Sequence, residues 1–228
     1  MVKFIGDFYI EVSVDMKKKL LIFDFDGTMA DTFMHIYNCF KRCIIKYGLN
    51  DISVEEFLKI NGSSLIDILK ILGASDDRLD EIKLFYRNIF LDDISDIILY
   101  DNVKDVLLEL KNNGYLLAVA TNRDSNSLSY MLKEFGMFDL FDALVGINQV
   151  NNGKPDPEMI NVILDKLNVN CDEAIMVGDT NYDIILGQNA KISTCYACHS
   201  DKEDKKVMEC NPDYVIYNFM EIFDLLDN

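Results

Sequence analysis

An α/β fold with a parallel sheet and an all-helical insert is the architecture the sequence predicts, on three observations. Short apolar runs closed by polar residues alternate with amphipathic helical patterns, which marks βαβ units. The alternation stops between residues 30 and 99, where helical patterns follow one another with no clear strand between them. Three of the apolar runs end on residues that can do chemistry: Asp24, Thr121 and Asp179.

The first strand is expected at residues 20–23, Leu-Leu-Ile-Phe, running straight into Asp24. The insert follows, with helices predicted at 31–47, 54–60, 64–72 and 76–90. The alternation resumes with a helix at 103–113, stopped by Gly114, and the apolar strand 116–120. A helix at 125–135 stops at Gly136, and weaker strand signal follows at 142–146. Pro157 suits the first turn of a helix at 157–167. A strong strand at 174–178, a helix at 183–190, weaker strands at 192–196 and 214–216 and a helix at 219–226 complete the chain.

Half of the 228 residues are hydrophobic, enough for a sizeable core. The net charge of −17 repels nucleic acid and anionic membranes, so neither is an expected partner. It also repels anionic substrates, so a phosphate site needs a strong local cation. No apolar run approaches the roughly 20 residues of a membrane span, and the first 15 residues lack the layout of a secretory signal. A soluble cytoplasmic protein is expected, with its six cysteines reduced. Oligomeric state is not legible; a monomer is compatible with the sequence.

In an open α/β sheet, ligands bind beyond the carboxyl ends of the strands, so Asp24, Thr121 and Asp179 would meet on one rim. Asp26 lies two residues after Asp24, on the same side of an extended segment, and Gly27 lets the chain turn behind them. Close carboxylates repel unless a cation joins them. Asp179 and Asp183 add two more, and hard oxygen donors of this kind favour Mg2+. Lys154, ahead of Pro155-Asp156-Pro157, supplies a protein cation.

These residues resemble the motifs of the haloacid dehalogenase-like hydrolases, in the branch with a helical cap inserted after the first strand. Asp24-Phe25-Asp26-Gly27-Thr28, Thr121-Asn122, Lys154-Pro155-Asp156-Pro157-Glu158 and Gly178-Asp179-Thr180-Asn181-Tyr182-Asp183 match four motifs in order. Residues 211–226 resemble the closing strand and helix of phosphoglycolate-phosphatase-like members. The resemblance implies a Rossmann-like core at 16–29 and 100–228, a cap at 30–99 and an N-terminal extension at 1–15. It implies a Mg2+-dependent phosphatase acting on a small phosphorylated metabolite. Asp24 would be the nucleophile and Asp26 the general acid and base, its carbonyl also on the metal. Asp24 and Asp179 would hold the ion and Asp183 would support it. Thr121 and the Asn122 amide would hold phosphate, and Lys154 would balance charge. Gly62, Ser63 and Ser64 fall where the family's cap loop meets substrate.

Other readings stand beside these. Asp24 and Asp26 could form a polar turn, Thr121 and Asp179 could cap turns, and Lys154 could lie on the surface. Arg123 could be a surface arginine or a substrate contact. His35 could line the cap or bind substrate. Cys195-Tyr196-Ala197-Cys198-His199 has the spelling of a haem attachment site, yet Cys195 falls on a predicted strand and reads as core. A sugar phosphomutase on the same scaffold would carry a histidine at position 36 and an arginine in the cap loop, and neither is present. A non-catalytic binding module would be expected to have lost Asp24, Asp26 or Lys154.

Overall fold

The computed structural model describes residues 2–5, 8–11, 18–92, 94–200 and 202–226. Strands β1 (Val2–Ile5) and β2 (Phe8–Glu11) form an antiparallel hairpin, and β3 (Leu20–Phe23) opens the core. Then β4 (Ala30–Asp31), α1 (Phe33–Tyr47), α2 (Val54–Leu58), α3 (Leu65–Ile71), α4 (Leu79–Asp92) and β5 (Ile98–Leu99) make up the insert. The chain continues through α5 (Val103–Asn112), β6 (Leu116–Thr121), α6 (Ser125–Glu134), β7 (Ala143–Gly146), α7 (Glu158–Leu167) and β8 (Ala174–Gly178). It closes with α8 (Asn181–Asn189), β9 (Ser193–Ala197), α9 (Lys205–Glu209), β10 (Tyr214–Ile216) and α10 (Ile222–Leu226).

Six strands form one parallel sheet in the order β10-β9-β8-β3-β6-β7. A parallel sheet is covered on both faces, which is why β3, β6 and β8 are apolar almost throughout rather than alternating. Leu21 and Phe23 face one core with Val106 and Leu110 of α5 and Met131 of α6. Leu20 and Ile22 face the other with Ile160 and Ile163 of α7 and Leu186 of α8.

The helices of the insert bury an aromatic cluster: Phe40 lies 5.5 Å from Phe57 and 4.9 Å from Tyr86, ring centre to ring centre. Local signals end these helices as their sequences suggest. Gly48 (φ 67°) closes α1, while Ser53 and Glu56 form a capping box at α2. Ser64 caps α3 through the Asp67 amide.

The structure departs from the sequence reading at several elements. Two strands do exist at the edges of the 30–99 interval: β4 and β5 pair antiparallel at the root of the insert. Two residues each are too few to show a period. The five-residue α9 was not expected. The helix at 183–190 starts two residues earlier, because Thr180 and Asp183 cap it reciprocally. The predicted helix 219–226 opens as a 3-10 turn at Phe219–Glu221. The N-terminal segment, read as an extension or an extra edge strand, pairs its β1 and β2 with each other, and neither joins the six-stranded sheet. Residues 12–17 lie outside the described residues.

Candidate active site

The sheet register builds the site. Phe23 pairs with Val119 on one side and Val177 on the other. The carboxyl ends of β3, β6 and β8 therefore lie side by side, and Asp24, Thr121 and Asp179 emerge together. The Asp24 amide donates to the Val177 carbonyl (2.9 Å), fixing where its side chain begins. Gly27 then turns the chain at φ 81°, a left-handed conformation that glycine adopts without strain. A Cβ there would run into the Asp179 carboxylate.

One carboxylate oxygen from each of Asp24, Asp179 and Asp183 lies within 4.8 Å of the others. Lys154 reaches into this group from the loop before α7, its side chain 2 % exposed. Its Nζ donates to Asp183 Oδ1 (2.5 Å) and stands 3.0 Å from Asp24 Oδ1, too poorly aligned there for a hydrogen bond. Asp183 is fully buried, and its other oxygen accepts from the Thr180 amide (3.0 Å) and hydroxyl (2.6 Å). Asp179 accepts from the Thr28 hydroxyl (2.8 Å).

Burial raises the Asp24 carboxyl to about 7; Lys154 opposes the shift, and the charges on Asp183 and Asp26 add to it. Burial, then Asp183 and Asp24, pushes Asp179 well above the carboxylate range. Burial disfavours the Lys154 ammonium, yet Asp183 and Asp24 more than offset it, and the group is pushed up to about 12. A divalent cation suits this donor set. One lysine cannot neutralise three converging carboxylates, and the Asp24 oxygen that faces it lacks an aligned donor. The oxygens are hard ligands of the type Mg2+ takes.

Asp26 stands apart from these three carboxylates. Arg123 grips both of its oxygens, Nε to Oδ2 (2.9 Å) and a terminal nitrogen to Oδ1 (2.6 Å). The guanidinium, 4.0 Å from the Phe90 ring centre, also donates to Ser127 (3.1 Å). Arg123 is thus not a surface residue: its side chain is buried, and it lines the cavity beside Asp26. No local pattern announces this pair, whose partners are 97 residues apart.

A cavity of about 260 Å3 opens over these groups, with Asp24, Asp26, Thr121 and Lys154 at its base. Helices of the insert cover it, and Gly62, Ser63 and Ser64 line it. Gly62 accepts at its carbonyl from the Asn122 side chain (2.9 Å), and the Ser63 and Tyr182 hydroxyls share a hydrogen bond (3.1 Å). Ser64 also lines the cavity, but its hydroxyl is engaged with Asp67. Asn122 Oδ1 accepts from the Lys154 amide (3.0 Å), so that side chain joins cap loop and lysine loop. Arg87 on α4 pairs with Asp124 across the same seam (2.9 Å). Ile36, Phe40, Leu65, Tyr86 and Phe90 give the cavity an apolar wall.

A sequence model described as "Haloacid dehalogenase-like hydrolase" matches residues 21–197. The chain belongs to that family. Among its relatives is the pyrophosphatase PpaX of Oceanobacillus iheyensis, 29 % identical over 212 residues, which are 92 % of this chain and 98 % of PpaX. A Clostridium difficile chain described as a phosphatase superposes with a TM-score of 0.75 at 28 % identity, covering 92 % of this chain and 98 % of that one. A Bacteroides fragilis chain described as a haloacid dehalogenase-like hydrolase shares the fold, with a TM-score of 0.82 at 23 % identity and coverage of 90 % and 99 %. The Rossmann-like sheet with its helical cap is the family architecture expected from the motifs.

Two residues at the site carried no role in the sequence reading. Thr28 belongs to the first motif, yet nothing local shows that its hydroxyl meets Asp179, 151 residues away. Tyr182 lies inside the fourth motif and reaches the cap loop. Conversely, His35 does not line the cavity: its ring stands edge-on to Phe90 at 4.5 Å and its Nε2 is 3.0 Å from the Phe90 carbonyl. Cys195 and Cys198 are buried in core clusters, and among the described residues the carboxylate trio is the group of three or more potential metal ligands that converges.

Proposed function

We propose that the protein is a cytoplasmic, Mg2+-dependent phosphatase that hydrolyses a small phosphorylated metabolite through an aspartyl-phosphate on Asp24. The observation that carries this reading is the convergence of Asp24, Asp179 and Asp183 on buried Lys154 beneath a capped cavity. Asp24 and Asp179 would hold Mg2+ with the Asp26 carbonyl, and Asp183 would brace them. When bound, the ion would supply positive charge to the phosphoryl group and to Asp24.

In the first step a carboxylate oxygen of Asp24 bonds to phosphorus as the bond to the leaving oxygen breaks. Asp26, entering the step protonated after one of its Arg123 contacts has opened, gives that oxygen its proton. Thr121 and the Asn122 amide hold phosphate oxygens, and Lys154 offsets their charge beside the nucleophile. In the second step water attacks the phosphorus, its proton passes to Asp26, and Asp24 is freed with release of phosphate. Arg123 occupies both Asp26 oxygens, so a leaving group has to displace part of that grip.

The apolar wall favours an organic leaving group over the second phosphate of pyrophosphate, the compound for which the PpaX relatives are named. Phosphate release from a panel of compact organic phosphates and pyrophosphate tests this. Turnover abolished by EDTA and restored by Mg2+, and fastest on an organic ester, is expected. No magnesium-dependent release from any member would sink the reading. A phosphomutase is disfavoured by the cap loop, where Gly62, Ser63 and Ser64 offer no cation.

The raised Asp24 pKa gives a pH signature. Without metal, the folded chain retains a proton between about pH 4 and 7 that the unfolded chain releases, so this site loses stability as pH rises through that window. A bound cation replaces the proton. The rise in Tm produced by saturating Mg2+ should therefore be larger at pH 8 than at pH 5. Scanning fluorimetry would show it; equal increments at both pH values would count against the site.

The same reading divides the chain into a core of 16–29 and 100–228, a cap of 30–99 and a dispensable extension of 1–15. A chain beginning at Met16 is expected to keep its thermal transition and its turnover. Insolubility or a lost transition would make the extension structural.

A further inference from the structure

The segment Cys195-Tyr196-Ala197-Cys198-His199 has no part in the chemistry above. Its first four residues are buried at the end of β9 and just beyond it. His199 instead crosses to the loop after β3, with its Nε2 2.9 Å from the carbonyl oxygen of Thr28. A carbonyl oxygen only accepts, so Nε2 carries the hydrogen and donates to it; burial keeps the imidazole below its ordinary pKa. The ring lies flat on Tyr100, 3.6 Å between centres and 5° between planes, with Phe219 stacked beyond at 6.5 Å.

Both contacts fall at the root of the cap. Thr28 precedes β4 and Tyr100 follows β5, and the Tyr100 amide donates to the Met29 carbonyl (3.1 Å). One imidazole thus touches the chain on its way into the helical insert and on its way out. The fully buried Thr28 is also the residue whose hydroxyl donates to Asp179. Its χ1 is stiff because its side chain is β-branched, so the hydroxyl follows the backbone. Holding the carbonyl fixes the peptide plane, and fixing the plane aims the hydroxyl. The stack on Tyr100 in turn fixes the direction of the imidazole N–H.

We propose that His199 is a positioning residue for Asp179: by holding the Thr28 carbonyl it orients the hydroxyl that orients the carboxylate toward a divalent cation. This rests on the reading that Asp24 and Asp179 hold Mg2+. Groups that orient a metal's ligands typically control metal affinity by about 10- to 100-fold when removed.

The test is calorimetric titration of Mg2+ into the full chain, which reads affinity rather than turnover. His199→Phe keeps a flat ring for Tyr100 and removes the donor, while His199→Gln keeps a donor of similar reach. Thr28→Val removes the hydroxyl and keeps the branch. His199→Phe and Thr28→Val are each expected to weaken binding about 10-fold or more. The double variant should bind no more weakly than Thr28→Val alone, since both changes cut one chain of contacts. His199→Gln should retain most of the affinity. Should His199→Phe fail to fold, His199→Asn, whose shorter amide falls short of Thr28, takes its place. Wild-type affinity in the donor-less variant, or losses that add in the double variant, would overturn the proposal while leaving the metal site standing. A wild-type chain that binds no Mg2+ would overturn the metal reading, and this proposal with it.

Discussion

Asp24→Asn is expected to abolish turnover of every phosphate ester and to leave no phosphoenzyme. The amide cannot attack phosphorus, and no other carboxylate occupies its place between Val177 and Lys154. Loss of a covalent nucleophile elsewhere costs on the order of 10^6 in kcat, and an effect of that order is expected here. Asp26→Asn should fail differently. General acid and base help is worth about 10^2 to 10^4. An aryl phosphate has a leaving group that needs little protonation, so Asp24 should still be phosphorylated in that variant. Water then lacks its base, and the phosphoenzyme should accumulate. Rapid-quench mass spectrometry would find the adduct on residue 24 in Asp26→Asn and nowhere in Asp24→Asn. Undiminished turnover in Asp24→Asn, or an adduct on another residue, would reverse the assignment.

Lys154→Met is expected to damage both catalysis and the fold. The ammonium is the cation set among the three converging carboxylates, with Asp183 2.5 Å away and fully buried. Methionine fills much of the same volume but leaves buried acids facing one another. Breaking a buried pair from one side costs about 3–5 kcal/mol. In a chain of this size each kcal/mol moves Tm by roughly 2–4 °C, so a fall near 10 °C is expected in metal-free buffer. Adding Asp183→Asn to Lys154→Met should recover part of the lost Tm, because the uncompensated charge is removed while Thr180 keeps its acceptor. Turnover should stay lost in both variants. A Tm unchanged in Lys154→Met would mean the lysine is not a structural counter-ion.

The strands that end at Asp24, Thr121 and Asp179 were the most legible part of the chain. Strands β3, β6 and β8 are central and apolar, and a polar residue ends each where the backbone leaves the sheet. The predicted ranges match the observed strands to within a residue. What sequence reading could not reach was partnership at long range. Arg123 could be weighed as a candidate, but its grip on Asp26 depends on the alignment of β3 and β6. The same holds for Thr28 with Asp179 and for His199 with Thr28. The short elements β4, β5 and α9 failed for another reason. Two to five residues hold too little of any period, and tertiary contacts decide their conformation.

The position of β3 also sets the order in which the molecule can be made. It is the first core strand in the chain but lies in the middle of the sheet, and its flanking partners begin only at Leu116 and Ala174. At about 5–20 residues per second, roughly ten seconds of synthesis separate Phe23 from its first partner. The helical insert emerges in that interval and can condense on its own local contacts. The nascent chain therefore carries an unpaired Leu-Leu-Ile-Phe strand ahead of a forming helical bundle, and Asp24 and Asp179 come together only after β8 leaves the ribosome.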